Sequence, residues 1–307
     1  MATVIERDGI EVVPAAPAEA PFRRFVAEFA ESRLAVVALV VLAMIIVAAL
    51  AAPLISPQDP YDLNQLDILD GRLPPGAESA AGFTFWLGSD DQGRDMLSAI
   101  LYGLRISLGV GVMSAVIAVL IGTAAGLAAA YFGGRIDTLI MRIVDIQLSF
   151  PAILVALILL AVLGQGTGKI IVALVTVQWA YYARTVRGTA LVERGKEYVE
   201  AARCLALGHG RILFRHLLPN CLPPLIVVAT VQVAHAIALE ATLSFLGIGL
   251  PITEPSLGLL IANGYEYMMS GKYWISFFPG VALLITIVSI NLVGDQLRDV
   301  LNPRLRK

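Results

Sequence analysis

The stretch EYVEAARCLALGHGRILFRHLLPN, residues 197–220, is a polar and basic passage between two long apolar ones. Its residue pattern predicts a hairpin of two short helices, Glu197–Leu207 and Arg211–Leu218. Four residues are expected to form the turn, to end the second helix and to cap the next one: Gly208 and Gly210, Pro219, and Asn220.

The remainder of the chain is strongly apolar, with 58% hydrophobic and only 15% charged residues. A soluble domain carries about 25% charged residues, so this composition indicates an integral membrane protein. A bilayer core about 30 Å thick needs roughly 20 apolar residues per helix. Six segments qualify, the fourth only if Arg184 and Arg187 reach toward one interface: 34–55, 106–132, 146–163, one starting at 170, 222–246 and 273–294. The predicted fold class is an all-α membrane protein with six transmembrane helices.

Basic residues indicate which end faces the cytoplasm, because short cytoplasmic loops carry the excess of Lys and Arg. They cluster before the first span, between the second and third, in the hairpin, and after the sixth. The segment 56–102 instead contains eight acidic residues and two arginines. We therefore expect 56–102 outside the cell, with the hairpin and both termini in the cytoplasm.

Three regions follow from this topology. Residues 1–21 are predicted to be a disordered cytoplasmic tail, because they are small and lack apolar periodicity. Residues 22–105 hold the first span and the external segment, in which Ser89 or Asp90 is expected to cap the start of a helix. Residues 106–307 form a five-helix core that includes the hairpin loop at 197–219.

Small and ring-constrained residues mark special positions inside the spans. Gly122 and Gly126 are four residues apart, a spacing that allows two helices to approach closely. Pro151 and Pro279 predict kinks or span boundaries.

Enzymatic and nucleic-acid-binding classes are disfavoured. No constellation of Ser, His and Asp, no zinc spacing and no phosphate loop can be assembled, so we expect no catalysis, no metal site and no cofactor in this chain. Cys204 and Cys221 are expected to be reduced bystanders. The net charge of −2 gives no reason to expect nucleic acid as a partner.

Polar residues at membrane depth are candidates for the transport pathway or its gate, because they are costly to bury there. These candidates are Gln178, Gln232, His235 and Glu240. Gln232 and His235 share one helix face, whereas Glu240 points elsewhere. For the amides, hydrogen bonding between helices is an equally good interpretation. For Glu240, a gating or packing role is favoured over substrate contact.

The hairpin itself allows two interpretations. The small side chains of Ala201 and Ala202 leave a bare helix surface that another protein can approach, and Glu200 offers a charge to a basic partner. An amphipathic hairpin resting on lipid headgroups fits the arginines as well. The spacing alone does not separate the two.

Five stretches together resemble the C-type permease subunit of the ABC importers for dipeptides, oligopeptides and nickel, and the resemblance covers nearly all of 22–304. The order Glu200-Ala201-Ala202, followed by Leu218-Pro219, resembles the EAA loop of these permeases. The stretches are LGSDDQGRDMLSAILYGLRISL, YFGGRIDTLIMRIVDIQLSFP, EYVEAARCLALGHGRILFRHLLPN, EATLSFLGIGL and NLVGDQLRDVLNPR.

The resemblance implies a type I importer permease fold whose cytoplasmic coupling helices fit a groove on an ATPase. It implies a heterodimer with a B-type permease, two ATPase subunits that bind ATP and Mg, and an external solute-binding protein. The residues expected to couple to the ATPase are Glu200, Ala201, Ala202, Leu205, Leu207, Gly208, Leu213, Phe214 and Pro219. Among them, Leu213 and Phe214 are expected to pack the second helix against the first.

Two positions depart from the family pattern. Ala206 stands where the family has Gly, so we expect the turn to move to Gly208. His216 replaces an apolar residue, as in the peptide-importing branch. The predicted function is the membrane subunit of a peptide importer. Nickel or another solute as cargo is the alternative. A secondary transporter would place several charged residues at mid-membrane and show internal repeats. A receptor would need a signalling domain.

Overall fold

The structure, a computed structural model, describes residues 21–301. The predicted tail at 1–21 therefore lies almost entirely outside the described residues. The described part is mostly helical, with one small antiparallel sheet of β1 (Ala77–Glu78) and β2 (Thr84–Phe85). The helices are α1 Pro21–Ala30, α2 Arg33–Ile55, α3 Met96–Phe132, α4 Gly134–Ser149, α5 Ala152–Leu163, α6 Thr167–Arg194, α7 Glu197–Cys204, α8 His209–Ile212, α9 Leu218–Phe245, α10 Leu257–Tyr265 and α11 Trp274–Leu301.

Within residues 21–301, four helical rods are long and apolar enough to cross a membrane, namely α2, α3, the continuous rod His209–Phe245, and α11. A fifth crossing is possible if α4 and α5 count as one bent span. Helix α6, the fourth predicted span, has 28 residues and is about 42 Å long at 1.5 Å per residue. Its arginines at 184 and 187 lower its apolar character, as the sequence already indicates.

The third predicted span, 146–163, is not one continuous helix. Helices α4 and α5 meet at an angle of 92°. The chain becomes extended at Phe150, before Pro151, whose ring disfavours a helical conformation in the preceding residue. The boundary predicted at Pro151 is therefore confirmed, whereas Pro279 lies within α11 and does not end it.

The centre of the fold is the contact between α3 and α6, which depends on two glycines. A Cβ atom on Gly122 would lie 2.5 Å from the Trp179 carbonyl oxygen, and one on Gly126 would lie 2.5 Å from the Ala183 carbonyl oxygen. Only a hydrogen fits at either position. The small-residue pair therefore packs these two helices of the chain together, as the spacing predicts.

The external segment is folded against the ends of α3 and α11. Asp90 and Arg94 form a buried ion pair of 2.6 Å, and the Trp274 indole donates to the Ser89 carbonyl at 3.2 Å. The cap of α3 is Asp95, whose carboxylate accepts from the Ser98 backbone N–H at 2.7 Å. The expected caps Ser89 and Asp90 are therefore wrong, because this helix begins only at residue 96.

Candidate functional site

The hairpin turns two residues earlier than the sequence predicts. Helix α7 ends at Cys204, and Ala206 has a left-handed conformation with φ of 51°. Gly208 has φ of −60°, which any residue can adopt. The expected move of the turn to Gly208 is therefore wrong. Ala206 keeps the left-handed position although its Cβ crowds the backbone there.

The second arm of the hairpin is the start of a long rod and not a separate short helix. Helix α8, a π-helical segment at Leu213–Leu217 and α9 follow one another without interruption. The Leu218 N–H bonds to the Leu213 carbonyl, five residues back. A π turn of this kind often marks a functional position in a helix.

Two helix-end predictions fail. Pro219 lies in the first turn of α9 and does not end the second arm, because the wider π turn just before it accommodates a residue without an N–H. Asn220 is inside α9 and caps nothing; its amide donates to the His216 carbonyl at 2.7 Å. Gly210, expected in the turn, is part of α8.

The hairpin presents two large apolar side chains to the exterior. Leu205 is 74% exposed and Phe214 is 68% exposed, and Glu200 and Ala201 are exposed as well. Ala202 is only 4% exposed and belongs to the core cluster of the chain. The bare surface expected at Ala202 is therefore wrong, because its side chain already packs inward, whereas its role in coupling to an ATPase stays a prediction.

The other apolar hairpin residues hold its two arms together. Leu207 and Leu213 are partly buried against the core that contains Val199 and Ile212. The packing expected of Leu213 is thus present. The same role is wrong for Phe214, whose ring faces outward.

Polar contacts attach the hairpin to the end of α3, and the end of α3 is joined in turn to the end of α6. The Tyr131 hydroxyl and His209 Nδ1 are 2.6 Å apart, and the Arg203 guanidinium lies 5.5 Å from the centre of the Tyr131 ring. Arg194 donates to the Ala130 carbonyl at 2.8 Å. The hairpin is therefore held as one body with the end of the bundle, which we call the basic end.

A second set of contacts joins α6, α7 and α9. The Tyr198 hydroxyl donates to Glu193 Oε2 at 2.7 Å, and Lys196 pairs with Glu193 Oε1 at 2.6 Å. The Asn220 amide donates to the Tyr198 hydroxyl at 3.1 Å. Partial burial and the hydrogen bond to Glu193 raise the pKa of Tyr198 to about 12, so its hydroxyl keeps its proton at neutral pH.

A cavity of about 1340 Å³ opens between α6, α9 and α11. Its polar lining includes Gln232 and His235 from α9 and Arg298 from α11. Near the hairpin it is lined by Arg184 and Asn220. The further lining residues are Leu148, Tyr181, Thr185, Thr189, Pro223, Pro224, Val227, Val228, Val231, Asp295 and Leu301.

Two ion pairs connect α4 to the wall of this cavity. Arg184 pairs with Asp145 at 2.5 Å, and Arg187 makes two contacts with the Asp137 carboxylate at 2.5 and 2.6 Å. A bidentate arginine and carboxylate fix relative orientation as well as distance. Helix α4 is thereby held beside α6 at the basic end.

The four pathway candidates separate into two groups. Gln232 and His235 line the cavity on the same face of α9, as their spacing indicates. Gln178 is buried and lies 3.5 Å from the Gln232 carbonyl, outside the lining. Glu240 is fully buried elsewhere, and no role in the pathway is tested by its position.

Comparison with known proteins identifies the family of the chain. Residues 118–307 match the family described as binding-protein-dependent transport system inner membrane component, and residues 20–75 match the N-terminal membrane domain of oligopeptide transport permease C. The chain belongs to this permease family. It is the C-type membrane subunit of a binding-protein-dependent importer.

Curated relatives cover most of the permease. The dipeptide transport system permease protein DppC of Bacillus subtilis is 38% identical over 277 residues, which are 90% of this chain and 84% of the relative. The oligopeptide permease protein OppC of the same organism is 38% identical over 279 residues, 91% and 88% of the two chains. A di/tripeptide permease protein DppC of Pseudomonas aeruginosa is 36% identical over 286 residues, 93% of each.

Solved structures share the permease fold. A chain of the MetNI methionine ABC transporter, in inward-facing conformations, matches with a TM-score of 0.54 at 23% identity. The match covers 67% of this chain and 98% of the other. An amino acid ABC transporter matches with a TM-score of 0.50 at 15% identity, covering 65% and 92%.

Several residues of the permease site escape sequence reasoning. Tyr198, Asn220 and Glu193 come together only because the hairpin folds back onto α6 and α9. Arg184 and Asp295 line the cavity although neither lies in the middle of a predicted span. The available signal was an amphipathic pattern in α7 with Tyr198 one residue after its start, and that pattern does not identify the partner.

Proposed function

We propose that this chain carries peptides across the bacterial inner membrane as one half of an ATP-driven translocation pathway. The cargo is inferred from relatives that are named as dipeptide, di/tripeptide and oligopeptide permeases at 36–38% identity over most of the chain. The cavity beside α9 is wide enough for a short peptide and offers both charged and apolar lining. A B-type permease would supply the opposite wall.

The exposed apolar tip of the hairpin is the observation that carries the proposed coupling to an ATPase. Leu205 and Phe214 lie in water or against a partner at the basic end. The exposed acidic residues Glu197 and Glu200 on α7 stand beside the exposed basic residues Arg203, Arg211 and Arg215, so the hairpin offers both signs of charge to a protein partner. A groove on a cytoplasmic ATPase is the partner that fits both features.

In this mechanism the hairpin moves as one body when the ATPase dimer closes. Its attachments to α3, α6 and α9 transfer the movement to the helices that line the cavity. The cavity then opens alternately to each side of the membrane. ATP and Mg are bound by the partner subunits, and this chain contributes the path and the mechanical connection.

The proposed arrangement assigns the basic end to the cytoplasm together with both termini. The segment 56–95 then faces outward, where a solute-binding protein would deliver the peptide. In this proposal residues 22–105 form a first region and residues 106–301 the core that contains the coupling loop at 197–219, although helix α3 runs across the boundary.

The test is reconstitution of this chain in lipid with its B-type partner, its ATPase subunits and a peptide-loaded binding protein. We expect Leu205→Ser combined with Phe214→Ser to abolish stable ATPase binding, measured by co-purification, and peptide uptake with it. Ile68→Ser, which removes another exposed apolar side chain from the external segment, is the matched control and should keep both.

Retention of the ATPase by the double variant would contradict docking through the hairpin tip. Peptide uptake that continues without ATP would contradict the proposed energy source. Ala202→Arg is a poor test of docking, since a buried alanine replaced by arginine would disturb the hairpin itself.

A further inference from the structure

One hydrogen-bonded chain runs from the base of the hairpin to the wall of the cavity. It starts at the buried carboxylate of Glu193, passes through the Tyr198 hydroxyl at 2.7 Å, and reaches the Asn220 amide at 3.1 Å. Asn220 belongs to both structures, because it also lines the cavity. No other residue lines the cavity and also hydrogen-bonds a side chain of α7 among the contacts of the described residues.

The Tyr198 hydroxyl is well suited to this position. It donates to Glu193 and accepts from Asn220, so both functions of the hydroxyl are used. Its ring stacks on His216, with an interplanar angle of 20° and ring centres 6.4 Å apart. Because the pKa of Tyr198 lies far above neutrality, the donor to Glu193 is present at every physiological pH.

The backbone around Asn220 is able to change shape. Pro219, Pro223 and Pro224 have no N–H, so three backbone hydrogen bonds of an ordinary α-helix cannot form in this part of α9. The π-helical turn lies immediately before them. Such interruptions allow a helix to bend or to shift its register at low energy. A small displacement of Tyr198 can therefore alter how Asn220, Pro223 and Pro224 line the cavity.

Another hydrogen bond of the hairpin does not lead to the cavity. The Tyr131 hydroxyl binds His209 at 2.6 Å and attaches the hairpin to the end of α3, but neither residue lines the cavity. Tyr131 and Tyr198 thus provide two tyrosine hydroxyl contacts to the same hairpin, of which only one leads to the pathway.

We propose that Tyr198 is a positioning residue that couples the hairpin to the cavity through Asn220. This inference rests on the proposed function, since it presupposes that the hairpin receives the movement of an ATPase. It assigns the coupling to one specific contact between α7 and α9. The other attachments of the hairpin only keep it folded.

The experiment measures coupling in the complete complex in proteoliposomes. Its readouts are the number of peptides taken up per ATP hydrolysed and the stimulation of ATP hydrolysis by the loaded binding protein. The variants are Tyr198→Phe, Asn220→Leu, their combination, and Tyr131→Phe as the matched loss of one hydroxyl. Tyr265→Phe, an exposed tyrosine outside the hairpin and the cavity, is the control for the substitution itself.

We expect Tyr198→Phe to lower peptide uptake per ATP by roughly threefold or more, a size typical of residues that carry coupling. Asn220→Leu should have a similar effect, and the combination should be no worse than either single variant, because the two residues share one interaction. Tyr131→Phe should change the ratio by much less. The stoichiometry of each purified complex confirms that the subunits remain assembled.

Three results would overturn the proposal while leaving the proposed function standing. One is a normal ratio in Tyr198→Phe; another is an equal loss in Tyr131→Phe, which would make both contacts general attachments. The third is loss of assembly in Tyr198→Phe alone, which would make its role structural. If the unaltered complex shows no ATP-driven peptide uptake, the proposed function itself fails.

Discussion

Ser107 on α3 donates a hydrogen bond of 2.8 Å to Glu240 on α9, deep inside the bundle. Ser244 donates to the other carboxylate oxygen, also at 2.8 Å. Both oxygens of this buried side chain are therefore satisfied by hydroxyl groups, and Glu240 lies outside the cavity lining. The arrangement fits packing of α3 against α9 better than contact with a moving substrate.

Replacement of Glu240 should show this packing role. We expect Glu240→Gln to keep peptide uptake and most of the stability, because an amide can satisfy both hydroxyls, one as acceptor and one as donor. Glu240→Ala should lower the free energy of unfolding by about 3 kcal/mol, since it leaves a cavity and two unpaired hydroxyls. Thermal unfolding in detergent and uptake assays measure these effects. A folded Glu240→Gln protein without uptake would instead indicate a role for the charge.

The glycines between α3 and α6 provide a second test. We expect Gly122→Ala to destabilise the protein by roughly 1–3 kcal/mol, because the new methyl group would overlap the Trp179 carbonyl. Gly109→Ala in the same helix is the matched control, since nothing lies within 4 Å of its added Cβ. The control should stabilise α3 by about 0.5–1 kcal/mol. Equal melting temperatures for both variants would argue against the close approach of α3 and α6.

Substitutions at Ala206 and Gly208 test which of the two residues holds the left-handed conformation in the turn of the hairpin. Ala206→Gly should be neutral or stabilising by about 0.5 kcal/mol, and Ala206→Val should destabilise the hairpin by more than about 1 kcal/mol. Gly208→Ala should be tolerated, because its φ of −60° suits any residue and nothing lies near the added Cβ. Limited proteolysis of the hairpin reports these changes. If Gly208→Ala destabilised the hairpin and Ala206→Val did not, the left-handed residue of the turn would be Gly208.

The external segment should respond to pH through Asp91. Burial, and then the neighbouring charge of Asp90, raise the pKa of Asp91 above its usual value of 3.8. The folded protein therefore binds this proton more readily than the unfolded chain does. As pH falls from neutrality through the raised pKa toward 3.8, this group adds stability, and the gain is complete below 3.8. We expect Asp91→Asn to be more stable than the unaltered protein at pH 7.

The stability difference between Asp91→Asn and the unaltered protein should shrink as the pH is lowered, because the Asp91 carboxyl of the unaltered protein then becomes neutral as well. Thermal unfolding at several pH values between 7 and 4 measures it. The exposed Glu78→Gln serves as the comparison for loss of one external charge. An Asp91→Asn advantage that grows toward acidic pH would contradict the assigned direction of the pKa.

Local pattern predicted a large part of the architecture. The apolar runs that became α2, α3 and α11 are set by length and composition, which the bilayer requires. The boundary at Pro151 follows from the geometry of proline, and the pairing of Gly122 and Gly126 follows from their spacing on one helix face. These features depend on residues that are close together in the sequence.

Predictions failed where a distant contact or an irregular helical turn, neither visible in the residue pattern, decides the conformation. Ala202 looks like an exposed small residue until the hairpin folds onto α6 and buries it. Pro219 looks like a helix end until the π turn before it accommodates the missing N–H. Asn220 looks like a cap because its attraction to the Tyr198 hydroxyl, 22 residues away, is invisible in the local pattern.

The sequence by itself determined that this chain lies in a membrane, which of its ends is basic, and that its motifs match an importer permease, because hydropathy, charge and motif order are properties of the linear chain. Only the tertiary structure decided which hairpin side chains face outward, how α4 and α5 bend, and which polar residues share the cavity. Those outcomes depend on helices that are brought together by long-range packing, where a single carbonyl or hydroxyl selects one arrangement among several that the local pattern allows.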